Sequence, residues 1–123
     1  MKVGYCRVST AEQNTARQEE LMQELGVEKV FIDKASGKST AQREALIEML
    51  AFLREGDVLI VSEISRLARN TRDLLEIVEL LSEKKVQFIS KKEAIDTSTP
   101  QGKFMLTVFG KVLEFQLQHQ SLQ

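Results

Sequence analysis

The chain has 123 residues, which is enough for one domain with a core and hardly enough for two. Hydrophobic residues make up 42% of it and charged residues 28%, a composition that argues against disorder. Its 17 basic and 18 acidic side chains leave a net charge of −1, which excludes a chain-wide basic surface but permits a local basic cluster. The one cysteine, Cys6, cannot form an internal disulfide, and together with the one histidine, His119, it cannot build a Cys/His zinc site.

The N-terminal segment does not have the composition of a targeting signal. It becomes polar by Arg7, and no apolar run approaches the length of a membrane-spanning helix. We therefore expect no signal peptide and no membrane span, and a cytoplasmic location at the bacterial nucleoid.

Short apolar runs predict four strands, and apolar residues at helical spacing between them predict three helices. The first helix runs from about Ala11 to Leu25, with a possible capping box at Thr10 and Gln13, and Gly26 ends it. A loop is expected over Lys34–Thr40. The other two helices contain Ala45–Leu53, ended by Gly56, and Leu74–Leu81. The predicted strands are Val3–Cys6, Val30–Asp33, Val58–Val61 and Val86–Ile89.

This alternation predicts an α/β fold with a mostly parallel, four- to five-stranded sheet flanked by helices, formed by residues 1–99. Thr99 and Pro100 begin a last helix, expected over residues 100–123, that is apolar on more than one side. We expect it to be a long C-terminal dimerisation helix, with Met105, Phe109 and Val112 in the contact, because so large an apolar surface is hard to leave in water. The alternative is that one side packs on the sheet and the rest frays.

Two nucleotide-binding motifs are incomplete in this chain. The sequence Gly37–Thr40 resembles the end of a phosphate-binding P-loop, but the glycine required five residues before it is Ile32. No G-x-G-x-x-G motif follows the first strand. The sequence therefore does not favour nucleotide binding.

A serine and four arginines have the positions expected of a phosphate-handling site. Ser9 comes where the first strand ends, and Arg7 shares its strand parity, so that both side chains project to one side. Arg66 and Arg69 follow the third strand at i,i+3 spacing, and Arg43 opens the second helix. A helix cap for the serine and a solvated face for the arginines are the ordinary interpretations.

Together these residues would suit phosphoryl transfer with a serine nucleophile. Guanidinium groups bind phosphate oxygens bidentately and stay charged while negative charge grows in the transition state. The sequence has no compact acidic cluster typical of a two-metal site, so the arginines would stabilise that charge. No histidine or lysine stands out as the base.

The same residues resemble the opening signature of the serine recombinases, the resolvase/invertase group, whose N-terminal catalytic domain is similar to this chain from about Lys2 to Phe115. Later motifs occur in the same order, and so do Gly102 and the helix after Pro100. The matching segments are Tyr5-Cys6-Arg7-Val8-Ser9-Thr10 with Gln13 and Gln18, Asp33–Gly37, Arg43, Gly56-Asp57, and Arg66-Leu67-Ala68-Arg69-Asn70.

The resemblance implies a site-specific DNA recombinase that cleaves and rejoins DNA without cofactor, metal or ATP. Ser9 would attack a phosphodiester and hold the 5′ end as a phosphoserine ester. The arginines expected around the phosphate are Arg7, Arg43, Arg66 and Arg69, and the residues expected to orient them or the DNA are Tyr5, Gln13, Gln18 and Asp33. The implied partners are double-stranded DNA and further copies of the chain, as a homodimer and, in the active synaptic state, a tetramer, with no membrane and no nucleotide.

Three departures from the family pattern leave alternatives open. Ser65 replaces the usual aspartate before Arg66, and Leu117 replaces an expected arginine. The chain ends at Gln123 with no DNA-binding module, as a truncated chain, a frameshifted gene or a natural remnant would. One alternative is thus a catalytically silent module that dimerises with a full-length recombinase. Another is a small-molecule phosphate-binding domain.

Overall fold

A computed structural model describes residues 1–9, 16–35, 43–104, 108 and 111, without the side chains of Ser9, Ala35 and Thr71. Strands and helices alternate along the chain, as the sequence predicts. A short 3₁₀ turn follows the third strand, and a fifth strand follows the fourth. The elements are β1 (Lys2–Ser9), α1 (Ala16–Glu24), β2 (Lys29–Ala35), α2 (Glu44–Phe52), β3 (Val58–Val61), the 3₁₀ turn (Ile64–Arg66), α3 (Thr71–Glu83), β4 (Gln87–Ser90) and β5 (Ile95–Asp96).

The five strands form one sheet in the order β2-β1-β3-β4-β5. Neighbours among β1 to β4 are parallel, and β5 is antiparallel to β4. The apolar run of β3 is central in the sheet, which explains why Leu59, Ile60 and Val61 are all buried. The predicted α/β class with a mostly parallel sheet is confirmed.

The two faces of the sheet are covered by different helices. On one face, Tyr5 and Leu59 pack in a continuous core with Leu46 of α2 and Leu81 of α3. On the other face, β1 approaches α1 so closely that a β-carbon at Gly4 would stand 2.7 Å from the sulfur of Met22. The candidate site residues lie at the carboxyl ends of the parallel strands and at the N-termini of α2 and α3.

Several predicted boundaries were wrong by a few residues. The first strand extends to Ser9, and the second includes Lys34, which the sequence placed in a loop, because parallel pairing with β1 continues to the ends of both strands. Helix α1 ends at Glu24, and α2 ends at Phe52, before the turn in which Gly56 has a φ of +92°. β4 lies one residue later than predicted. The predicted capping box and the rest of the predicted loop lie outside the described residues.

The predicted start of the last helix agrees with the structure. The Thr99 hydroxyl accepts a hydrogen bond from the Gly102 amide at 2.9 Å, and residues 100–104 are helical. Phe104 is 69% exposed and Val108 is 43% exposed. The three residues expected in a dimer contact, Met105, Phe109 and Val112, lie outside the described residues.

Candidate functional site

The C-terminal end of β1 lies at the switch point of the sheet, where the next strand in sequence is on one side of β1 and the strand after that is on the other. The chain passes from β1 outward to β2 and then returns to β3 on the other side of β1. Open α/β sheets bind ligands outside the carboxyl ends of their strands at such a point. Ser9 is the last residue of β1, and the 3₁₀ turn Ile64–Arg66 follows β3. The topology therefore brings the predicted serine and two of the predicted arginines to one edge of the sheet.

Arg7 and Arg66 both make hydrogen bonds there from their side chains to the main chain. The Arg66 Nη1 donates to the Arg7 carbonyl at 3.0 Å, and the Arg7 Nη2 donates to the Ser65 carbonyl. Both side chains are half-buried. Each arginine thus ties the end of β1 to the turn after β3, although they are 59 positions apart in sequence.

A carboxylate next to this pair orients Arg66. The Glu63 Oε1 accepts from the Arg66 Nε at 3.4 Å, and the Glu63 Oε2 accepts from the Lys92 ammonium at 3.2 Å. The hydrogen bond from Lys92, with those from Ser65 and Arg66, holds the pKa of Glu63 below its usual value despite partial burial. The turn is also held through its main chain, because the Ile64 amide donates to Glu93 at 3.2 Å.

Arg43 and Arg69 meet at a second carboxylate, that of Asp73 in the first turn of α3. Both terminal nitrogens of Arg43 donate to it, Nη1 to Oδ2 and Nη2 to Oδ1, the latter at 2.9 Å. The Arg69 main-chain amide donates to Asp73 Oδ2 at 2.9 Å. The Arg43 and Asp73 side chains are each only 13% exposed. Asp73 therefore joins the start of α2 to the segment before α3.

The Arg43–Asp73 ion pair keeps both groups charged. Burial by itself raises the pKa of the Asp73 carboxyl, but the hydrogen bonds from Arg43 and Arg69 outweigh burial and leave that pKa below its usual value. The hydrogen bond to Asp73 likewise raises the pKa of Arg43. A neutral Arg43 is therefore not available as a base at neutral pH.

Asp33 holds the N-terminus of α2 from the neighbouring strand. Arg43 occupies the N-cap position of α2 and provides no capping hydrogen bond from its side chain. The Asp33 carboxylate accepts instead from the amides of Ala45 at 2.9 Å and Leu46 at 3.0 Å, and from the Tyr5 hydroxyl at 2.7 Å. Asp33 thereby places the first turn of the helix that carries Arg43.

Tyr5 acts as a donor to this carboxylate. Burial, followed by the hydrogen bond to Asp33, raises the pKa of Tyr5 far above the usual range of a phenol. The hydroxyl consequently keeps its proton at neutral pH. Burial also raises the pKa of the Cys6 thiol, to about 11, so that this thiol is protonated as well.

The other predicted site residues are less closely connected to the arginines. Ser9 is placed by its main chain, which pairs with Ala35 of β2. Gln18 is half-buried in α1 and makes no hydrogen bond to the four arginines among the described contacts. Gln13 lies outside the described residues. Arg69 follows the 3₁₀ turn and is exposed, whereas Arg66 is half-buried. The two side chains therefore differ in their exposure to solvent, although i,i+3 spacing predicts a shared face.

Sequence reasoning missed both orienting carboxylates, Asp73 and Glu63. A local signal existed for Asp73, because Asn70 followed three residues later by an acidic residue is a helix-start pattern, and the Asn70 side chain accepts from the Asp73 amide at 2.8 Å. The i,i+3 spacing of Glu63 and Arg66 was a comparable local signal for the second carboxylate. Only its other partner, Lys92, is distant, lying 29 positions away.

The described residues offer neither a metal-binding cluster nor a membrane-spanning helix. In residues 1–9, 16–35, 43–104, 108 and 111, no group of three or more His, Cys, Asp or Glu side chains could hold a metal ion. Over the same residues, no helix has both the length and the apolar character needed to span a membrane.

Comparison with known proteins identifies close relatives. The DNA-invertase of Enterobacteria phage P7 is 45% identical over 116 residues, which cover 94% of this chain and 62% of that protein. The transposon Tn917 resolvase of Enterococcus faecalis is 38% identical, with the same coverage of both chains. The solved N-terminal catalytic domain of TP901-1 integrase superposes with a TM-score of 0.72 at 30% identity, covering 96% of this chain and 98% of that one.

These relatives include a DNA-invertase, a resolvase and an integrase, and the chain spans about six tenths of the length of the curated relatives it matches. The model of the family described as "Resolvase, N terminal domain" matches residues 2–121, which is nearly the whole chain. The match confirms the resemblance seen in the sequence motifs. On this evidence the chain belongs to the resolvase N-terminal domain family.

Proposed function

We propose that this chain is the catalytic domain of a serine site-specific recombinase, with Ser9 as the nucleophile. The observation that carries the proposal is the pair of hydrogen bonds by which Arg7 and Arg66 join the C-terminal end of β1, two residues before Ser9, to the turn after β3. Guanidinium groups at the end of a strand, at the sheet's switch point, suit a phosphodiester. The names of the relatives, a DNA-invertase and a transposon resolvase, support the proposal that this phosphodiester belongs to DNA.

The reaction conserves the phosphodiester energy. The Ser9 oxygen forms a bond to phosphorus while the bond from phosphorus to the 3′ oxygen breaks; the serine loses its proton and the 3′ oxygen gains one. The 5′ end is then held as a phosphoserine ester. A 3′ hydroxyl from another strand reverses these steps, so rejoining requires neither ATP nor a metal.

Each predicted arginine has a role in this proposal. Arg7, Arg43, Arg66 and Arg69 bind the phosphate oxygens and stabilise the charge that grows on them. Tyr5 and Asp33 position Arg43 through α2, and Gln13 and Gln18 contact or orient the DNA. Residues 1–99 form the catalytic core. The domain acts on double-stranded DNA in the nucleoid, as a dimer that pairs into a tetramer.

The decisive experiment is a test for a covalent adduct with DNA. Residues 1–123 are fused after Gln123 to a DNA-binding domain of known specificity and given paired sites that flank nicked central sequences. We expect a protein–DNA adduct on a denaturing gel, and its complete loss in Ser9→Ala, because alanine has no oxygen to bond phosphorus. Stability should change by no more than about 2 kcal/mol in that variant, the range for loss of a capping hydroxyl.

The matched control is Ser98→Ala, an exposed serine in the turn after β5. That variant should form adduct like the unchanged chain. An adduct that persists in Ser9→Ala would assign the nucleophile elsewhere. If a fusion that binds both sites forms no adduct, the proposed chemistry is wrong, and the silent dimerising module becomes the better interpretation.

The last helix, residues 100–123, is proposed as the dimer contact. Phe104 and Val108 lie one helical turn apart and are exposed, as expected for a face that needs a partner. Replacing both Phe109 and Val112 with glutamate should convert the dimer to a monomer in sedimentation, because two charges would be buried at the contact.

Ile47→Glu provides the control for this variant, since Ile47 is a 65% exposed apolar residue on α2. It should leave the dimer intact. An unchanged sedimentation coefficient for the Phe109/Val112 variant, or a monomeric unchanged chain, would place the contact elsewhere.

A further inference from the structure

We propose that Asp73 is a positioning residue for the reaction, which holds Arg43 and the segment of Arg69 in the arrangement that receives the phosphate. The inference rests on the proposed recombinase function and deepens it. Asp73 has no place among the residues that the sequence motifs single out. It is the one carboxylate among the described side chains to which both Arg43 and the main chain of Arg69 donate.

The ion pair does not use every N–H group of Arg43. Both terminal nitrogens face the carboxylate, so the guanidinium is held end-on. The Nε–H and the outer Nη–H groups point along the other edges of the same plane. Because the Asp73 carboxylate fixes the plane of the Arg43 guanidinium, a phosphate could bind to another edge of the guanidinium that is already oriented.

Burial makes this orientation persistent. Arg43 and Asp73 are each 13% exposed, and pairs shielded from water are screened less than surface pairs. An arginine normally loses considerable side-chain entropy when it binds a ligand. Here that entropy is already lost in the folded protein, which lowers the cost of aligning Arg43 with the reacting phosphate.

The carboxylate of Asp73 is not needed to cap α3. Asn70 is the N-cap residue of that helix, and its side chain accepts from the Asp73 amide. The Asp73 carboxylate is therefore used for contacts outside its own helix. These contacts join residues 43 and 69, which are otherwise carried by different elements.

The test is Asp73→Asn in the fusion protein described above. The amide keeps the shape of the side chain but replaces one acceptor with a donor that faces Arg43. We expect the rate of single-turnover adduct formation at saturating DNA to fall by about 10- to 100-fold, as for a misplaced catalytic group. The Kd for DNA should stay within about threefold, since the fused domain supplies most of the affinity.

A double-mutant comparison separates positioning from loss of stability. In an Arg43→Ala background, Asp73→Asn should slow adduct formation clearly less than it does in the unchanged chain, because only the contact with the Arg69 main chain is left to lose. An equal loss of rate in both backgrounds would overturn the inference, because Asp73 would then act independently of Arg43. All rates are compared at a temperature at which circular dichroism shows every variant folded.

Asp57→Asn is the matched control. Asp57 is also a buried acidic residue, but it lies just before β3, at the amino-terminal end of the parallel strands and so at the opposite end from Asp73. There it accepts from the N-terminal amine and the Arg54 amide. Its loss should lower stability without changing the adduct rate. If Asp57→Asn slows the reaction as much as Asp73→Asn, the effect is general destabilisation and the inference is wrong.

Two further outcomes are distinguishable. An unchanged chain that forms no adduct would refute the proposed function itself. Adduct formation by the unchanged chain and at the same rate by Asp73→Asn would refute only the positioning role. If Asp73→Asn does not fold, Asp73→Glu keeps the charge but displaces it by one methylene, and an unchanged rate in that variant would also overturn the inference.

Discussion

Replacing Gly102 with alanine is expected to lower the free energy of unfolding by about 3 kcal/mol, the upper part of the range for overpacking. Gly102 is buried in the first turn of the last helix. A β-carbon there would stand 1.8 Å from the Asp96 carbonyl oxygen and 2.5 Å from its carbon. These are main-chain atoms of β5, so no side-chain rotation can relieve the overlap.

The sign of this effect distinguishes tertiary packing from helix propensity. By propensity alone, alanine in a helix is favoured over glycine by about 1 kcal/mol, which would stabilise the protein. Urea unfolding followed by circular dichroism measures the global effect. Hydrogen exchange at the Lys103 amide, which donates to the Thr99 carbonyl at 3.0 Å, reports whether the helix start has separated from β5.

Gln101→Ala is the control, because Gln101 is exposed in the same turn and should change stability by less than about 0.5 kcal/mol. If Gly102→Ala matches the unchanged chain in both measurements, or is more stable, then the close approach of the helix to Asp96 does not exist in solution.

Replacing Asp33 with alanine should lower the free energy of unfolding by about 3–5 kcal/mol, because it leaves several buried donors without a partner. Asp33 is 7% exposed, and its carboxylate accepts from the Tyr5 hydroxyl and from the amides of Ala45 and Leu46. The two amides are at the N-terminus of α2, where a negative charge is also favoured by the helix dipole. No side chain of the N-cap residue replaces it.

A graded series tests this explanation. Tyr5→Phe removes one donor and leaves the helix cap in place, so it should lower the free energy of unfolding by about 1–2 kcal/mol. Lys34→Ala, at an exposed neighbouring position of β2, should have almost no effect. Urea unfolding of the three variants ranks their losses in the free energy of unfolding. Equal losses for Tyr5→Phe and Asp33→Ala would show that the α2 amides do not depend on Asp33.

The same series has a functional consequence. Arg43 begins α2, and its guanidinium reaches Asp73 of α3. Loss of the Asp33 cap should therefore displace Arg43 and slow adduct formation, even where the variant is folded. On the proposed function, stability and chemistry would be coupled at this end of the strands, because Asp33 would serve both.

Much of the candidate site could be predicted from the sequence. Arg7 and Ser9 can be recognised because a strand end is visible in local hydrophobicity. The family motifs also single out Tyr5 and Asp33, which share a hydrogen bond, while their role as orienting residues stays a prediction. Asp73 was missed because it stands in none of the family motifs, whereas Tyr5 and Asp33, which are themselves 28 positions apart, both do.

The sequence by itself determined the order of strands and helices, the family, and the residues that fall at the ends of β1 and β3, because periodicity, caps and motifs are local properties of the chain. Only the tertiary structure decided which of those residues meet. The order β2-β1-β3 brings Arg7 beside Arg66, and the packing of α2 and α3 on one face of the sheet brings Arg43 to Asp73. These contacts follow from which strands are neighbours, and local periodicity does not encode that arrangement.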